Sequence, residues 1–217
     1  MDAVEISQRL EPFVSPSRLS AKQLEYISIY IDILQRWNRK INLTAVRRPE
    51  EMVTRHFGES LFAARHLLPD PALVAPPLRV IDVGSGAGLP GLPMKIYAPA
   101  IRLTLIESNQ RKAAFLREVI RELKLVGAEV FAGRAEDFAG RADLVTMRAV
   151  EKFERALPAA VSLLAPRGRV ALLIGARQVE VAQQAQPGLK WQPALAIPAS
   201  SQRVLAVGLN QSGQESG

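Results

Sequence analysis

The period of the apolar positions changes partway along the chain. In residues 1–77 it is helical. Asp2 is placed to cap a short helix running to Leu10, and Pro12 and Pro16 predict its end. Ser20 with Gln23 forms a capping-box pattern. Leu24, Ile27, Ile31 and Leu34 then fall on one face, with Trp37 continuing near it. A further helical segment is predicted from Pro49, at a first turn, to Leu67, with Met52, His56, Leu61 and Ala64 along one side. Pro69, Pro71, Pro76 and Pro77 interrupt the pattern and mark the expected end of an N-terminal helical region, residues 1–77.

From Leu78 onward, short apolar runs alternate with helical ones. Segments 80–83, 103–106, 129–131, 144–146 and 170–174 read as strands of a parallel sheet covered on both faces. Helices are predicted near 92–97, 110–125 and 153–164. This alternation predicts right-handed βαβ units and a doubly wound α/β sheet. Segments 191–197 and 203–209 are joined by a link too short for a parallel crossover, so they are expected to pair antiparallel. The predicted architecture is a Rossmann-like α/β domain over residues 78–210. Its seven-stranded sheet is mostly parallel with an antiparallel terminal pair, and residues 211–217 form a frayed tail.

Composition narrows the chemistry. The chain of 217 residues contains no cysteine. Cysteine-ligated zinc, iron–sulfur clusters, redox dithiols and thiol nucleophiles are therefore excluded. No apolar run approaches the roughly 18 residues a membrane helix needs, and the N-terminus lacks the layout of a signal peptide. A soluble cytoplasmic protein is expected. The formal charge of +7 suggests an anionic partner. It is unevenly placed: residues 1–77 carry 10 Lys/Arg against 9 Asp/Glu, and residues 78–217 carry 18 against 12. A local basic run nevertheless lies in the first region, at Arg36, Arg39, Lys40, Arg47 and Arg48, with no acidic residue among them. Such a run suits phosphate contacts, which give affinity without sequence specificity. Trp37 beside it could stack on a base, but its place on an apolar face favours a core role.

The strongest local signal is Asp82-Val83-Gly84-Ser85-Gly86-Ala87-Gly88-Leu89-Pro90-Gly91, after a strand and before a helix, with Pro90 read at the first helical position. Glycines there permit positive φ and close approach of a ligand to the main chain. Counting from Gly84 and Gly86, the third glycine of a dinucleotide fingerprint would fall on Leu89, and no Gly-Lys-Ser/Thr of a P-loop follows. What remains, D-x-G-x-G-x-G, is the pattern of S-adenosylmethionine-dependent methyltransferases. That cofactor has no phosphate, so an acidic Asp82 beside the glycines is compatible with it. Glu107, at the end of the next strand, is placed to accept both ribose hydroxyls. Ala135-Glu136-Asp137, after the third strand, would border the adenine.

Several motifs extend the pattern: Trp37-Asn38 leading to Asn42-Leu43-Thr44, Arg55-His56 with Ser60, the glycine turn through Pro93, and Met147-Arg148-Ala149. Together, over about residues 35–175, they resemble the GidB/RsmG family of bacterial 16S ribosomal RNA guanine-N7 methyltransferases. The resemblance implies a class I methyltransferase, a monomer that binds S-adenosylmethionine and acts on 16S rRNA or a small-subunit precursor. It places the cofactor against Gly84, Gly86, Leu89, Ala135 and Glu136 and beside Arg148. Asn42, Thr44, Arg55, His56 and Ser60 are placed on the substrate side, with roles unassigned. The chain departs from the family's usual pattern at Glu59, where Asp is usual, at Ile174 and along the final strand. Guanine N7 has a lone pair and no proton to lose, so its methylation needs alignment and no general base; accordingly no catalytic residue and no metal ligand are assigned. The rival reading is a non-catalytic nucleotide- or RNA-binding module that keeps the Rossmann-like shell.

Overall fold

The first strand is apolar except for its first residue and Asp82, and everything around it follows from covering both of its faces. In a computed structural model, which describes residues 1–68, 77–148 and 153–212, β1 (Arg79–Val83) pairs in parallel with β2 (Arg102–Ile106) and β4 (Ala142–Arg148). β3 (Ala128–Phe131) extends the sheet beyond β2, and β5 (Leu164–Gly175) extends it beyond β4, both in parallel. β8 (Arg203–Asn210) then runs antiparallel to β5. The order is β3-β2-β1-β4-β5-β8-β6, with β6 (Leu189–Trp191) and β7 (Leu195–Ala196) both antiparallel to β8. The fold class read from the sequence is therefore the one observed: a mostly parallel α/β sheet with an antiparallel end. The single strand expected at 191–197 is two short pieces. Pro193 lies between them, and proline has no N–H to give a ladder.

Successive side chains of β1 serve different cores. Val80 joins an apolar cluster with Leu144, Leu105 and Phe115 that also takes in Ile6, Ile27, Phe57 and Leu61 from the N-terminal helices. Ile81 and Val83 face Val145, Leu157 and Leu172 on the other side. The helices are α1 (Ala3–Val14), α2 (Ala21–Asn38), α3 (Pro49–Glu51), α4 (Glu59–Leu67), α5 (Gly91–Tyr97), α6 (Gln110–Glu122), α7 (Phe153–Ser162) and α8 (Gln178–Ala185). One face of the sheet and the N-terminal helices thus share a core. Of the predicted boundary, Pro69, Pro71 and Pro76 lie outside the described residues, as do 213–217 of the predicted tail.

Local differences from the expectation have physical reasons. α1 continues past Pro12 to Val14, because Phe13 and Val14 are buried while Pro12 faces solvent and gives up only one internal hydrogen bond. α2 begins on the predicted capping box, with Gln23 N–H donating to Ser20 Oγ at 3.3 Å and Ser20 N–H donating to Gln23 Oε1 at 2.8 Å. The predicted helix 49–67 is continuous in space, but its middle, Met52–Gly58, is π-helical. Such wider turns are frequent at functional sites, and this one carries Arg55 and His56. Pro90 caps α5 instead of occupying its first turn. α8 has no counterpart in the sequence reading.

Candidate active site

The turn after β1 is tied to its neighbour by the main chain. The amides of Gly84 and Ser85 donate to Ile106 O at 2.9 and 3.1 Å. Gly84, Gly86 and Gly88 have φ of 67°, 54° and 76°, so the left-handed conformation that favours glycine is used at each. The fold of this turn aims N–H groups at the end of β2: Gly86 donates to Glu107 Oε2 at 2.9 Å, and Asn109 donates to Oε1 at 2.8 Å. Both oxygens are thereby fixed by main-chain donors. A carboxylate has about four acceptor positions, so lone pairs remain for a ligand.

Glu107 and the glycine turn form one wall of a cavity of about 800 Å³ at the carboxyl edge, where the strand order reverses between β1 and β4. The loop after α2, with Asn42 and Thr44, lines the same cavity, as do His56 and Arg148. Of the residues singled out in the sequence, the cavity brings together Asn42, Thr44, His56, Gly84, Gly86, Leu89, Glu107 and Arg148. It does not line itself with Asp82, Arg55, Ser60, Ala135 or Glu136. Asp82 is fully buried beneath the turn and accepts from Thr146 Oγ1 at 2.7 Å. Burial pushes its pKa up to about 6, the Thr146 hydrogen bond opposes that shift, and Oδ2 has no hydrogen-bond partner. It braces the start of α5 instead of facing a ligand. Ser60 is buried and donates to His56 O at 2.6 Å, while the Arg55 side chain is exposed. Ala135 is buried and Glu136 exposed on the short helix Ala135–Asp137.

Arg148 is nearly withdrawn from solvent, with its side chain 9% exposed. Nη2 donates to Arg55 O and lies 3.1 Å from Glu59 Oε2 and 3.4 Å from His56 Nδ1. Burial lowers its pKa to about 10, while Glu59 opposes that shift, so it stays cationic at neutral pH. Nη1 is buried and has no hydrogen-bond partner. Glu59, 3% exposed, also meets Arg203 Nε at 2.8 Å, in the geometry of an ion pair without an aligned hydrogen bond. Arg203 Nη2 donates to Leu173 O at 3.0 Å. One carboxylate on α4 thus holds cations from the end of β4 and the start of β8.

His56 Nε2 lies 2.7 Å from Thr44 Oγ1. Burial and then the Arg148 charge push its pKa down to about 3, so the ring is neutral. The loop bearing Asn42 and Thr44 is held by Asn38, whose Oδ1 accepts from Leu43 and Thr44 N–H and whose Nδ2 donates to Thr44 O. Asn38, Glu59, Arg203 and Thr146 escaped the sequence assignment of site residues. Asn38 stood inside the quoted Trp-Asn motif, Glu59 stood at a noted departure from the family pattern, and Arg203 stood at the start of the predicted final strand. Thr146 left no signal. Trp37 takes the core role, packed edge-on against Phe115 at 5.9 Å with Nε1 donating to Glu118 at 3.0 Å. In the basic run beside it, Arg39 and Lys40 are exposed and Arg47 lines the cavity.

A second cavity, about 610 Å³, lies between the start of α2 and the end of α5, near Arg18, Lys22, Tyr26, Lys95 and Lys124. It contains none of the glycine-turn or carboxylate groups, so the chemistry belongs to the first. Among the described residues no three His, Cys, Asp or Glu side chains are grouped to hold a metal ion, and no helix is long and apolar enough to cross a membrane.

A glycine turn after the first strand, a main-chain-anchored carboxylate after the second, and a cavity at the switch point define the ligand-binding shell of a Rossmann-like methyltransferase. Comparisons agree on the fold. The chain superposes with a TM-score of 0.63 on the magnesium protoporphyrin IX methyltransferase of Synechocystis PCC 6803, at 16% identity, covering 85% of this chain and 97% of that one. With the ribosomal protein L11 methylase of Lactobacillus delbrueckii subsp. bulgaricus the TM-score is 0.59 at 16% identity, covering 72% and 79%. The family model of rRNA small subunit methyltransferase G, GidB, matches residues 23–200. The ribosomal RNA small subunit methyltransferase G of Xanthomonas euvesicatoria is 38% identical over 175 residues, 80% of this chain and 79% of the relative. That of Desulfitobacterium hafniense is 38% identical over 177 residues, covering 79% and 71%. The chain belongs to the rRNA small subunit methyltransferase G (GidB) family.

Proposed function

We propose that this protein transfers the methyl group of S-adenosylmethionine to N7 of a guanine in 16S ribosomal RNA, as a cytoplasmic monomer and without a metal. The observation that carries the reading is the Glu107 carboxylate, fixed by the Gly86 and Asn109 amides in a cavity that the Asn42–Thr44 loop also lines.

The residues present fit the cofactor. Glu107 keeps lone pairs for the ribose hydroxyls, and the glycine turn lets the amino-acid end approach the main chain. Arg148 Nη1 is a buried donor without a partner, suited to an anionic group of cofactor or substrate. Ala135 and Glu136 border the adenine end in this reading, and Asp82 serves from beneath the turn. When bound, S-adenosylmethionine supplies an electrophilic methyl group on its sulfonium.

The remaining work is positioning. The guanine N7 lone pair forms the new bond to the methyl carbon as the carbon–sulfur bond breaks. No proton leaves N7, and the positive charge passes to the purine ring. The titratable groups here are committed elsewhere: Glu59 to two arginines, His56 to Thr44 and Arg148, Asp82 to Thr146. They orient, and none has to remove a proton. Arg39, Lys40 and Arg47 supply phosphate contacts beside the cavity, Asn42 and His56 line the substrate side, and the buried Ser60 holds the His56 main chain.

Nucleoside mass spectrometry of 16S rRNA, before and after deletion of the gene, tests the reading. Loss of one 7-methylguanosine is expected; unchanged 7-methylguanosine refutes it. Calorimetry with S-adenosylmethionine separates an enzyme from a module that only binds RNA. Wild type should bind and Gly86→Asp should not, because an aspartate side chain at that φ would enter the cavity beside Glu107.

A further inference from the structure

The hydroxyl of Thr44 is constrained by its neighbours to a single hydrogen-bonding role. A guanidinium only donates. Arg148 Nη2 donates to Arg55 O and lies 3.4 Å from His56 Nδ1, an arrangement in which that nitrogen presents its lone pair to the guanidinium. The neutral ring then carries its proton on Nε2, which donates to Thr44 Oγ1 at 2.7 Å. The Val46 amide donates to the same oxygen at 3.0 Å. A hydroxyl has two lone pairs and one proton, so both acceptor positions are filled and only the proton remains. Thr44 lines the cavity, and Asn38 grips its main chain from both sides, with Thr44 N–H donating to Oδ1 at 3.0 Å and Nδ2 donating to Thr44 O at 3.0 Å. The donor is preorganised.

We propose that Thr44 reads the target base: its hydroxyl donates to guanine O6 and leaves N7 free to receive the methyl group. This rests on the reading that guanine N7 is the acceptor. On the purine edge that carries N7, guanine shows the acceptors N7 and O6, whereas adenine shows N7 and the N6 amine donor. A group that can only donate accepts guanine and meets the adenine amine proton against proton. The usual reader of this edge, an arginine forked onto O6 and N7, would cover the lone pair that must react. One hydroxyl engages O6 alone. Thr44 is thus a specificity residue, and His56 and Asn38 are the positioning residues that fix its proton.

The test pairs a protein change with a substrate change. Once the modified guanosine is mapped, 16S rRNA carrying 2-aminopurine riboside at that position lacks O6 and keeps N7. Thr44→Val should slow methyl incorporation into natural rRNA about 10-fold, the loss of one neutral hydrogen bond. Wild type should slow by about the same factor on the 2-aminopurine substrate, and Thr44→Val should lose nothing further there. Thr44→Ser should stay within about threefold of wild type on natural rRNA. Cofactor affinity of Thr44→Val should match wild type; a loss would show that the hydroxyl serves the cofactor and overturns the proposal. Multiplicative losses to about 100-fold in the combined experiment also overturn it. Nitrogen-15 NMR of wild-type His56 decides independently of any variant. A proton on Nε2 is expected, and a proton on Nδ1 with an unprotonated Nε2 overturns the proposal. If wild type forms no 7-methylguanosine on natural rRNA, the N7 reading itself fails and this proposal falls with it.

Discussion

Glu59→Gln removes one charge from the middle of a buried cluster and leaves everything else in place. Glu59 is 3% exposed, with Arg148 Nη2 at 3.1 Å and Arg203 Nε at 2.8 Å. Its removal strands two cations, and the Arg203 charge already disfavours the charged form of Arg148. Breaking a buried ion pair from one side costs about 3–5 kcal/mol, because the surviving charge stays buried. Two features move the expectation to the low end. Glutamine still accepts a hydrogen bond, and the Arg203 side chain, 24% exposed, can turn toward water. A loss of about 3 kcal/mol is expected at pH 7, which for a chain of this size is a fall in Tm of about 6–12 °C. Glu59→Asp keeps the charge and should lose less than about 1 kcal/mol. Glu59→Gln with Arg203→Met should recover part of the loss, since the pair is then removed from both sides. Urea unfolding followed by circular dichroism, with all three variants at pH 7, reads these values. A Glu59→Gln loss below about 0.5 kcal/mol, or a double variant no better than the single one, refutes the buried-cluster argument.

Two glycines of the turn should respond differently to alanine. At Gly88, φ +76°, a Cβ would meet Tyr30 Oη and lie 2.5 Å from Leu92 Cδ1, so Gly88→Ala should cost about 2–4 kcal/mol in urea unfolding. At Gly86, φ +54°, its nearest neighbour is Gly84 O at 3.8 Å, so Gly86→Ala should cost only about 1–2 kcal/mol of backbone strain while weakening S-adenosylmethionine binding in calorimetry. Equal stability losses at the two positions would contradict this. His56 and Asp82 should pull the pH dependence of stability in opposite directions. The His56 pKa falls from 6.5 unfolded to about 3 folded, so its contribution is present above pH 6.5 and is lost as the pH falls, by about 2 kcal/mol between pH 7 and pH 5. The Asp82 pKa rises from 3.8 to about 6, so the folded state binds the proton first and gains about 1 kcal/mol over the same interval. His56→Gln should therefore be more stable at pH 5 than at pH 7, while wild type is slightly less stable. Identical pH profiles for the two proteins would refute the assignment.

The sequence made legible what is local. The capping box of α2, the apolar runs of β1 to β5 and the glycine turn are each set by residues within a few positions of one another. Glu107 was legible for a related reason: the end of a strand is a geometric place, and a carboxylate there faces the cavity whatever lies elsewhere. Asp82 shows the limit of that reasoning. It belongs to the same motif, yet the start of α5 and Thr146 of β4 close over it, and nothing adjacent in sequence reports that closure. The Glu59–Arg148–Arg203 cluster joins residues from α4, β4 and β8, and only packing reveals it. α1 passing Pro12 has the same cause, since burial of Phe13 and Val14 outweighs a proline's local preference.

In the proposed function, reaction by alignment places the catalytic demand on how the sides of the cavity are joined. In that proposal the glycine turn and Glu107 serve the cofactor, and the loop after α2 with the π-helical stretch serves the substrate. The joints between them are specific and buried. Tyr30 of α2 donates to Ala87 O within the turn, Arg148 of β4 donates to Arg55 O within the π-helical stretch, and Glu59 pairs with Arg148 and Arg203 behind it. Trp37 of α2 reaches Glu118 of α6. A misplacement of about 1 Å between reacting groups costs about 100-fold in rate. An enzyme that uses a proton-transfer residue can trade some alignment for chemical assistance, but methylation at N7 has no proton step through which to do so. Residues such as Tyr30 and Glu59, which touch neither base nor cofactor in this reading, should therefore matter to the rate through the alignment they maintain.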